Sequence, residues 1–220
     1  MADGDDATAH IRRQLKLSQQ LVMTPQLQMA IKLLGMPSRD VAAMLDTWRA
    51  EHPGSVDELP IGVPDPGDEH ERTQAAENEV EPWFFPPDGE QPLSPVETDV
   101  WIYGNPPQAR AHGRAFPRLV VVATEPDGRR EAMWLVRALR QRAKTYERVV
   151  ATTVALWPEL ATALDPTVLA PIKIRDVAER MGMHESTITR VAGAAQFRTL
   201  HGLFAYAVAK SKLTVRHCAR

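Results

Sequence analysis

The residues best suited to chemistry on this chain lie between 184 and 190. His184, Glu185, Ser186, Thr187, Thr189 and Arg190 crowd into that stretch. Their hydroxyls, imidazole, carboxylate and guanidinium are groups that hydrogen-bond base edges and phosphates. The rest of the sequence offers no competing reaction. It contains no phosphate-cradling glycine loop, no His-Glu metal signature and no Gly-x-Ser-x-Gly elbow. The histidines stand at 10, 52, 70, 112, 184, 201 and 217, and no two share ligand spacing. Acidic pairs such as Asp5–Asp6 lie where the chain is expected to be flexible. The sequence therefore reads as a non-enzyme with no cofactor and no metal.

The elements around 184–190 give those residues a platform. "IRDVAERMGMHESTITRVAG", residues 174–193, has the spacing of a helix-turn-helix. Ala178 is small where two helices would cross, and Gly182 sits where the turn needs a positive φ. Val177, Met181, Met183, Ile188 and Val191 supply the apolar core of the pair. The polar cluster then falls at the exposed start of the second helix, where a recognition helix meets DNA. A packing hairpin that never touches nucleic acid has the same spacing. Upstream, residues 129–157 read as one long helix. Ala132, Leu135, Val136, Leu139, Ala143, Tyr146, Val149 and Val150 form its apolar stripe. Arg137, Arg140, Arg142, Lys144 and Arg148 load its other faces with positive charge. Pro158 opens a further short helix with Leu160 and Leu164. Short strands are expected at 99–103 and 118–123.

A second cluster works without charge. "LSQQLVMTPQLQMAIKLLGM", residues 17–36, mixes Gln19, Gln20, Gln26 and Gln28 with leucines and methionines. Thr24 can cap a helix whose first position is Pro25. Leu27, Ile31 and Leu34 recur at helical spacing, and Gly35 ends the run. Ser38 reads as the cap of a second helix with Val41, Met44, Leu45 and Trp48 on one face. "HPG" at 52–54 stops it.

Charge divides the chain more sharply than its net of −2 suggests. Residues 57–99 carry thirteen acidic side chains against one basic, Arg72, whereas residues 110–220 carry nineteen basic against nine acidic. The second block suits nucleic acid or an acidic partner, although a solvated basic surface has the same composition. Residues 54–96 are proline-rich, acidic and nearly without periodicity, so they read as a mostly disordered linker. "WFFP" at 83–86 is the one stretch there able to dock. The single cysteine, Cys218, excludes an internal disulfide and a Cys-rich zinc site. The acidic N-terminus lacks the apolar core of a signal peptide, and no run is long enough to span a membrane. The expected compartment is a reducing cytosol, and the chain is read as cytoplasmic.

Two segments together resemble one family. "LKLSQQLVMTPQLQMAIKLLGM", residues 15–36, resembles the activator-interacting region of bacterial sigma-54 transcription factors. "WLVRALRQRAKT", 134–145, and "VAERMGMHESTITRV", 177–191, resemble the family's core-binding domain, and "TLHGLF", 199–204, is similar to its closing motif. The acidic linker resembles the family's variable second region. The resemblance implies three partners: core RNA polymerase, promoter DNA near the melting point, and an ATP-dependent bacterial enhancer-binding activator. It implies a regulatory surface of Leu17, Gln19, Gln20, Leu21, Met23, Thr24, Pro25, Gln26, Leu27, Ile31 and Leu34. It also implies polymerase contacts through Arg137, Arg140, Arg142 and Lys144.

Two departures stand out. After Gly202-Leu203-Phe204 the family continues with charged and aromatic residues, but here stands "AYAVAKSKL". No Arg-Arg-Thr-Val-Ala-Lys-Tyr run occurs, so the family's C-terminal DNA-binding domain is expected to be missing. The expectation is a mainly α protein in three parts. These are a helical pair at 12–53, the linker at 54–96, and an α-helical core-binding domain at 97–213 with a small strand element and the hairpin at 174–193. It would act as a sigma-54-like initiation factor. The alternatives are a truncated competitor or a stand-alone helix-turn-helix regulator.

Overall fold

The computed structural model describes residues 24–59, 98–104, 106–112 and 115–218. Leu17, Gln19, Gln20, Leu21, Met23, most of the linker and the "WFFP" stretch lie outside the described residues. The chain divides into two compact units, residues 1–31 and 32–220. The described part of the first unit is the start of helix α1 (Pro25–Leu34). Its cap is the expected one: the Leu27 amide donates to Thr24 Oγ1 at 3.2 Å. Thr24 through Met29 are exposed.

The second unit begins with the last turn of α1. Helix α2 (Ser38–Glu51) and a short strand β1 (Val56–Glu58) follow. Ser38 does not cap α2. Pro37 holds the cap position, and the Ser38 hydroxyl donates instead to the buried Asp99 carboxylate. Strand β1 lies inside the stretch read as linker. It pairs antiparallel with β4 (Leu119–Val121), Val56 facing Val121.

Helix α3 (Pro126–Leu156) is the backbone of this unit. Its stripe is buried from Ala132 to Val154 except at Ala143, which is half-buried. The N-terminal half packs Ala132, Leu135, Val136 and Leu139 against Leu33, Val41, Leu45, Val56 and Leu119. The C-terminal half packs Tyr146, Val149, Val150 and Val154 against the larger core. The short helix α4 (Glu159–Thr162) buries Leu160, whereas Leu164 is left 80% exposed.

The larger core is built on a six-stranded mixed sheet, and this overturns the mainly α reading. About half of the described residues are helical, but the sheet is a layer of its own. Its strands are β2 (Val100–Tyr103), β3 (Gln108–Ala111), β5 (Ile172–Lys173), β6 (Gln196–Thr199), β7 (Gly202–Ala209) and β8 (Lys212–His217). Their order is β3-β2-β6-β7-β8-β5, with only β2 and β6 parallel. The sequence expectation stopped at "TLHGLF" and missed the hairpin beyond it. Phe204, Tyr206, Leu213 and Val215 are buried there, and Phe197 of β6 joins them. The β7–β8 turn is Lys210-Ser211, both at positive φ (47° and 59°). That geometry is the two-residue hairpin turn, but neither residue is the Asn or Gly that advertises it.

One polar group ties α1, α2, β2 and α3 together. Arg142 is only 1% exposed. Its Nε donates to the Leu33 carbonyl at 3.0 Å, and its Nη2 donates to the Met36 carbonyl at 2.8 Å and to Tyr146 Oη at 3.1 Å. Tyr146 Oη in turn donates to the Leu34 carbonyl at 3.1 Å. The last carbonyls of a helix have no partner within it. Here Arg142 and Tyr146 cap two of them from another helix. The guanidinium also lies over the Phe116 and Tyr146 rings, 4.7 and 4.2 Å from their centroids. Ser38 Oγ, 3.3 Å from Nη2, links it to Asp99, whose other oxygen accepts from the Gln196 amide at 2.8 Å. Burial raises the Asp99 pKa above its ordinary 3.8 despite these hydrogen bonds and the nearby Arg142 charge.

Removing one partner of a buried charge network leaves the others unpaired, at about 3–5 kcal/mol. Arg142→Ala should therefore cost about that much in denaturant unfolding. Arg137→Ala, on an exposed face of the same helix, should stay within about 0.5 kcal/mol. Equal effects would show that Arg142 is not the tie. For Asp99 the sign follows from its raised folded pKa. The folded state keeps the proton to higher pH than the unfolded state, so this component of stability falls as pH rises from 3.8 through the raised value. The stability difference between wild type and Asp99→Asn should decline over that window in unfolding measured at a series of pH values.

Candidate nucleic-acid interface

Helices α5 (Ile174–Met181) and α6 (Glu185–Ala194) form the expected hairpin. Its turn is dictated by Gly182, at φ 64°. The Gly182 amide donates to the Glu179 carbonyl at 3.2 Å and the Met183 amide to the Ala178 carbonyl at 3.0 Å. This pair of bonds is a Schellman motif, which closes α5 and turns the chain into α6. Val177, Ala178, Met181, Ile188 and Val191 are buried as the spacing predicts, and Met183 packs against them.

The sheet grips the hairpin at both ends. Strand β5 runs directly into α5 and pairs with β8, Ile172 facing Leu213. At the other end Ala195 leads from α6 into β6, which pairs with β7 and β2. Helix α3 packs on the hairpin's core, and the Arg148 guanidinium reaches the Met181 carbonyl at 3.5 Å. The hairpin therefore has little freedom to reorient as a unit.

The structure sorts the expected site residues. His184, Glu185, Thr189 and Arg190 are exposed, while Ser186 and Thr187 are half-buried. His184 is the α6 cap: its Nδ1 accepts from the Ser186 amide at 3.1 Å. That role leaves Nε2 as the outward donor. The Thr189 hydroxyl donates to the Glu185 carbonyl at 2.9 Å, so its proton is already used. Arg190 is the cation of this face. Its stem lies against the turn between α1 and α2, where a methyl placed on Gly35 would stand 3.6 Å from Arg190 Cβ.

The four residues expected to meet polymerase separate too. Arg137 and Lys144 are exposed and Arg140 is half-buried, reaching the Leu119 carbonyl at 3.4 Å. Arg142 is interior and cannot meet a partner without unfolding its surroundings. Of the described regulatory residues, Thr24, Pro25, Gln26 and Leu27 are exposed, and Ile31 and Leu34 are half-buried. Among the described residues no group of three His, Cys, Asp or Glu side chains could hold a metal ion. No described helix is long and apolar enough to cross a membrane.

Comparison with known proteins bears directly on this face. Residues 124–211, which hold α3, the hairpin and three of the sheet's six strands, match the family model described as "Sigma-54, DNA binding domain". Residues 12–48 match "Sigma-54 factor, Activator interacting domain (AID)". The two matches together cover more than half of the chain. The chain belongs to the sigma-54 family. RNA polymerase sigma-54 factor 1 of Bradyrhizobium diazoefficiens is 40% identical over 78 residues, 36% of this chain and 16% of the relative. The RNA polymerase sigma-54 factor of Caulobacter vibrioides is 38% identical over 73 residues, covering 33% and 14%. That of Bacillus subtilis is 32% identical over 74 residues, covering 34% and 17%. The matched stretch is thus a small share of each relative's length. The first match falls on the stretch that the sequence reading placed in a core-binding domain.

The sigma-54 hairpin gives one structural prediction here. An L-residue at a positive φ costs about 1–2 kcal/mol. Gly182→Ala has open space for its methyl, so it should cost about that much through the backbone alone. Unfolding by denaturant measures it, and a neutral result would mean the turn relaxes to another conformation.

Proposed function

We propose that this chain acts as a sigma-54-type transcription initiation factor. It binds core RNA polymerase and promoter DNA near the melting point, and an ATP-dependent activator controls it through the Gln/Leu region. One observation carries the reading. A helix-turn-helix whose second helix exposes Arg190, Thr189, Glu185 and His184 is tied at both ends into a sheet, within the stretch that matches a DNA-binding domain. A fixed hairpin suits recognition, because donors that must find base edges lose less freedom on binding when they are already placed.

Each partner has its own surface on this reading. DNA meets the start of α6. Polymerase meets the outer face of α3, where Arg137 and Lys144 are exposed. The activator grips the exposed start of α1, Thr24 to Met29, together with the residues before it. Glutamines there bond without charge and leucines bury on contact, a combination that is specific and reversible.

The test uses the full chain with core polymerase and a sigma-54-type promoter duplex. The chain should co-purify with core polymerase at micromolar concentration and prefer the promoter over random duplex. Arg190→Ala should weaken promoter binding by about 1–3 kcal/mol if Arg190 reads a base, with the preference relaxed. If it meets a phosphate, the salt dependence should fall by about one unit on both duplexes. No co-purification and no promoter preference would sink the reading.

A further inference from the structure

Three lysines gather where the β7–β8 hairpin meets the start of the helix-turn-helix. Lys173 ends β5 and Lys212 begins β8, and the two are direct cross-strand partners. Lys210 stands in the turn two residues away, at φ 47°. The Ser211 carbonyl accepts from the Ile174 amide at 3.0 Å, which fastens this tip to the first residue of α5. All three lysines are exposed.

This arrangement is unfavourable in the free protein. Like charges facing each other across a ladder destabilise it. A non-glycine residue at positive φ adds backbone strain. No described carboxylate forms an ion pair with any of the three. Arg175, one residue into α5, does not share their role, because Glu179 holds it at 2.6 Å. The position of the cluster supplies a reason for tolerating the repulsion. In helix-turn-helix complexes the first helix crosses the DNA backbone while the second enters the groove. The lysines stand at the beginning of that first helix.

We infer that the hairpin tip, Lys173, Lys210 and Lys212, is a second DNA contact that grips the phosphate backbone beside the groove. This rests on the reading of α5 and α6 as a DNA-binding hairpin. It gives the "AYAVAKSKL" departure a function: the strand pair carries cations to the edge of the recognition hairpin. The contact has no base specificity, since lysines meet phosphates as point charges.

Lys212→Glu separates this role from a structural one. It turns the like-charged cross-strand pair with Lys173 into a pair of opposite charges, so the melting temperature should rise by about 1–3 °C. DNA affinity should fall at least about tenfold, equally on promoter and random duplex, because the variant adds a negative charge at a phosphate contact. The triple alanine variant of Lys173, Lys210 and Lys212 should reduce the salt slope by about two to three units on both duplexes. Unchanged affinity and slope would overturn the inference and leave the lysines as guards of an exposed sheet edge. A lower melting temperature for Lys212→Glu, with affinity lost only in proportion to folded protein, would overturn it too. Arg190→Ala in parallel keeps the two readings apart. If the wild type shows no promoter preference and Arg190→Ala changes nothing, the recognition reading fails, while the lysine variants on random duplex still judge this contact.

Discussion

Burying a guanidinium costs several kcal/mol unless its donors are met, and much of the second unit is arranged to meet Nε and Nη2 of Arg142, whereas no described group accepts from its buried Nη1. The carbonyls of Leu33 and Met36, the hydroxyls of Ser38 and Tyr146, and two aromatic faces converge on the guanidinium. They come from α1, the α1–α2 turn, α2 and α3 itself. Asp99, at the start of β2, closes the network through Ser38 and through the Gln196 amide at the start of β6. A hydrophobic contact tolerates some sliding. A forked donor bound to particular carbonyls does not, so Arg142 fixes the register of the helical pair on α3.

That register matters for the proposed DNA face. The turn fixed by Arg142 contains Gly35, and Gly35 lies against the stem of Arg190. Meanwhile β5 and β6 hold the two ends of the α5–α6 hairpin in a single sheet. The position of Arg190 is therefore set from two sides, by the sheet through its backbone and by the α1–α2 turn along its side chain. Glycine is not required at 35 by a positive φ, and a methyl there would meet Arg190 Cβ at 3.6 Å, an ordinary contact.

How much of this was legible in the sequence depends on the range of the interactions involved. The helices were legible because their signals are local. The α3 stripe repeats from Ala132 to Val150, Thr24-Pro25 marks the start of α1, and Gly182 marks the turn into α6. The sheet was not. Strand β5 is two residues long, β2 pairs with β6 across nearly a hundred residues, and the Lys210-Ser211 turn uses residues that give no turn signal. The role of Arg142 was hidden for the same reason. On the helix it reads like its neighbours Arg137, Arg140 and Lys144, and only the partners brought in from Leu33 to Ser38 and from Asp99 make it interior. Of the candidate site, the cluster at 184–190 was legible as a set. Which members already spend their groups within the protein, as His184 and Thr189 do, depends on the α6 geometry.

The helical pair is two things at once, and the boundary between them falls within one helix. Leu33, Val41 and Leu45 are no more than 2% exposed and belong to the core of the second unit. Leu27 and Met29, on the same helix as Leu33, are 38% and 39% exposed. The last turn of α1 is an anchor, capped from outside by Arg142 and Tyr146, while its first two turns offer apolar and amide groups to solvent. Solvated leucines and methionines on a capped, formed helix are a ready surface for a partner. Such a partner gains apolar burial without ordering the helix first.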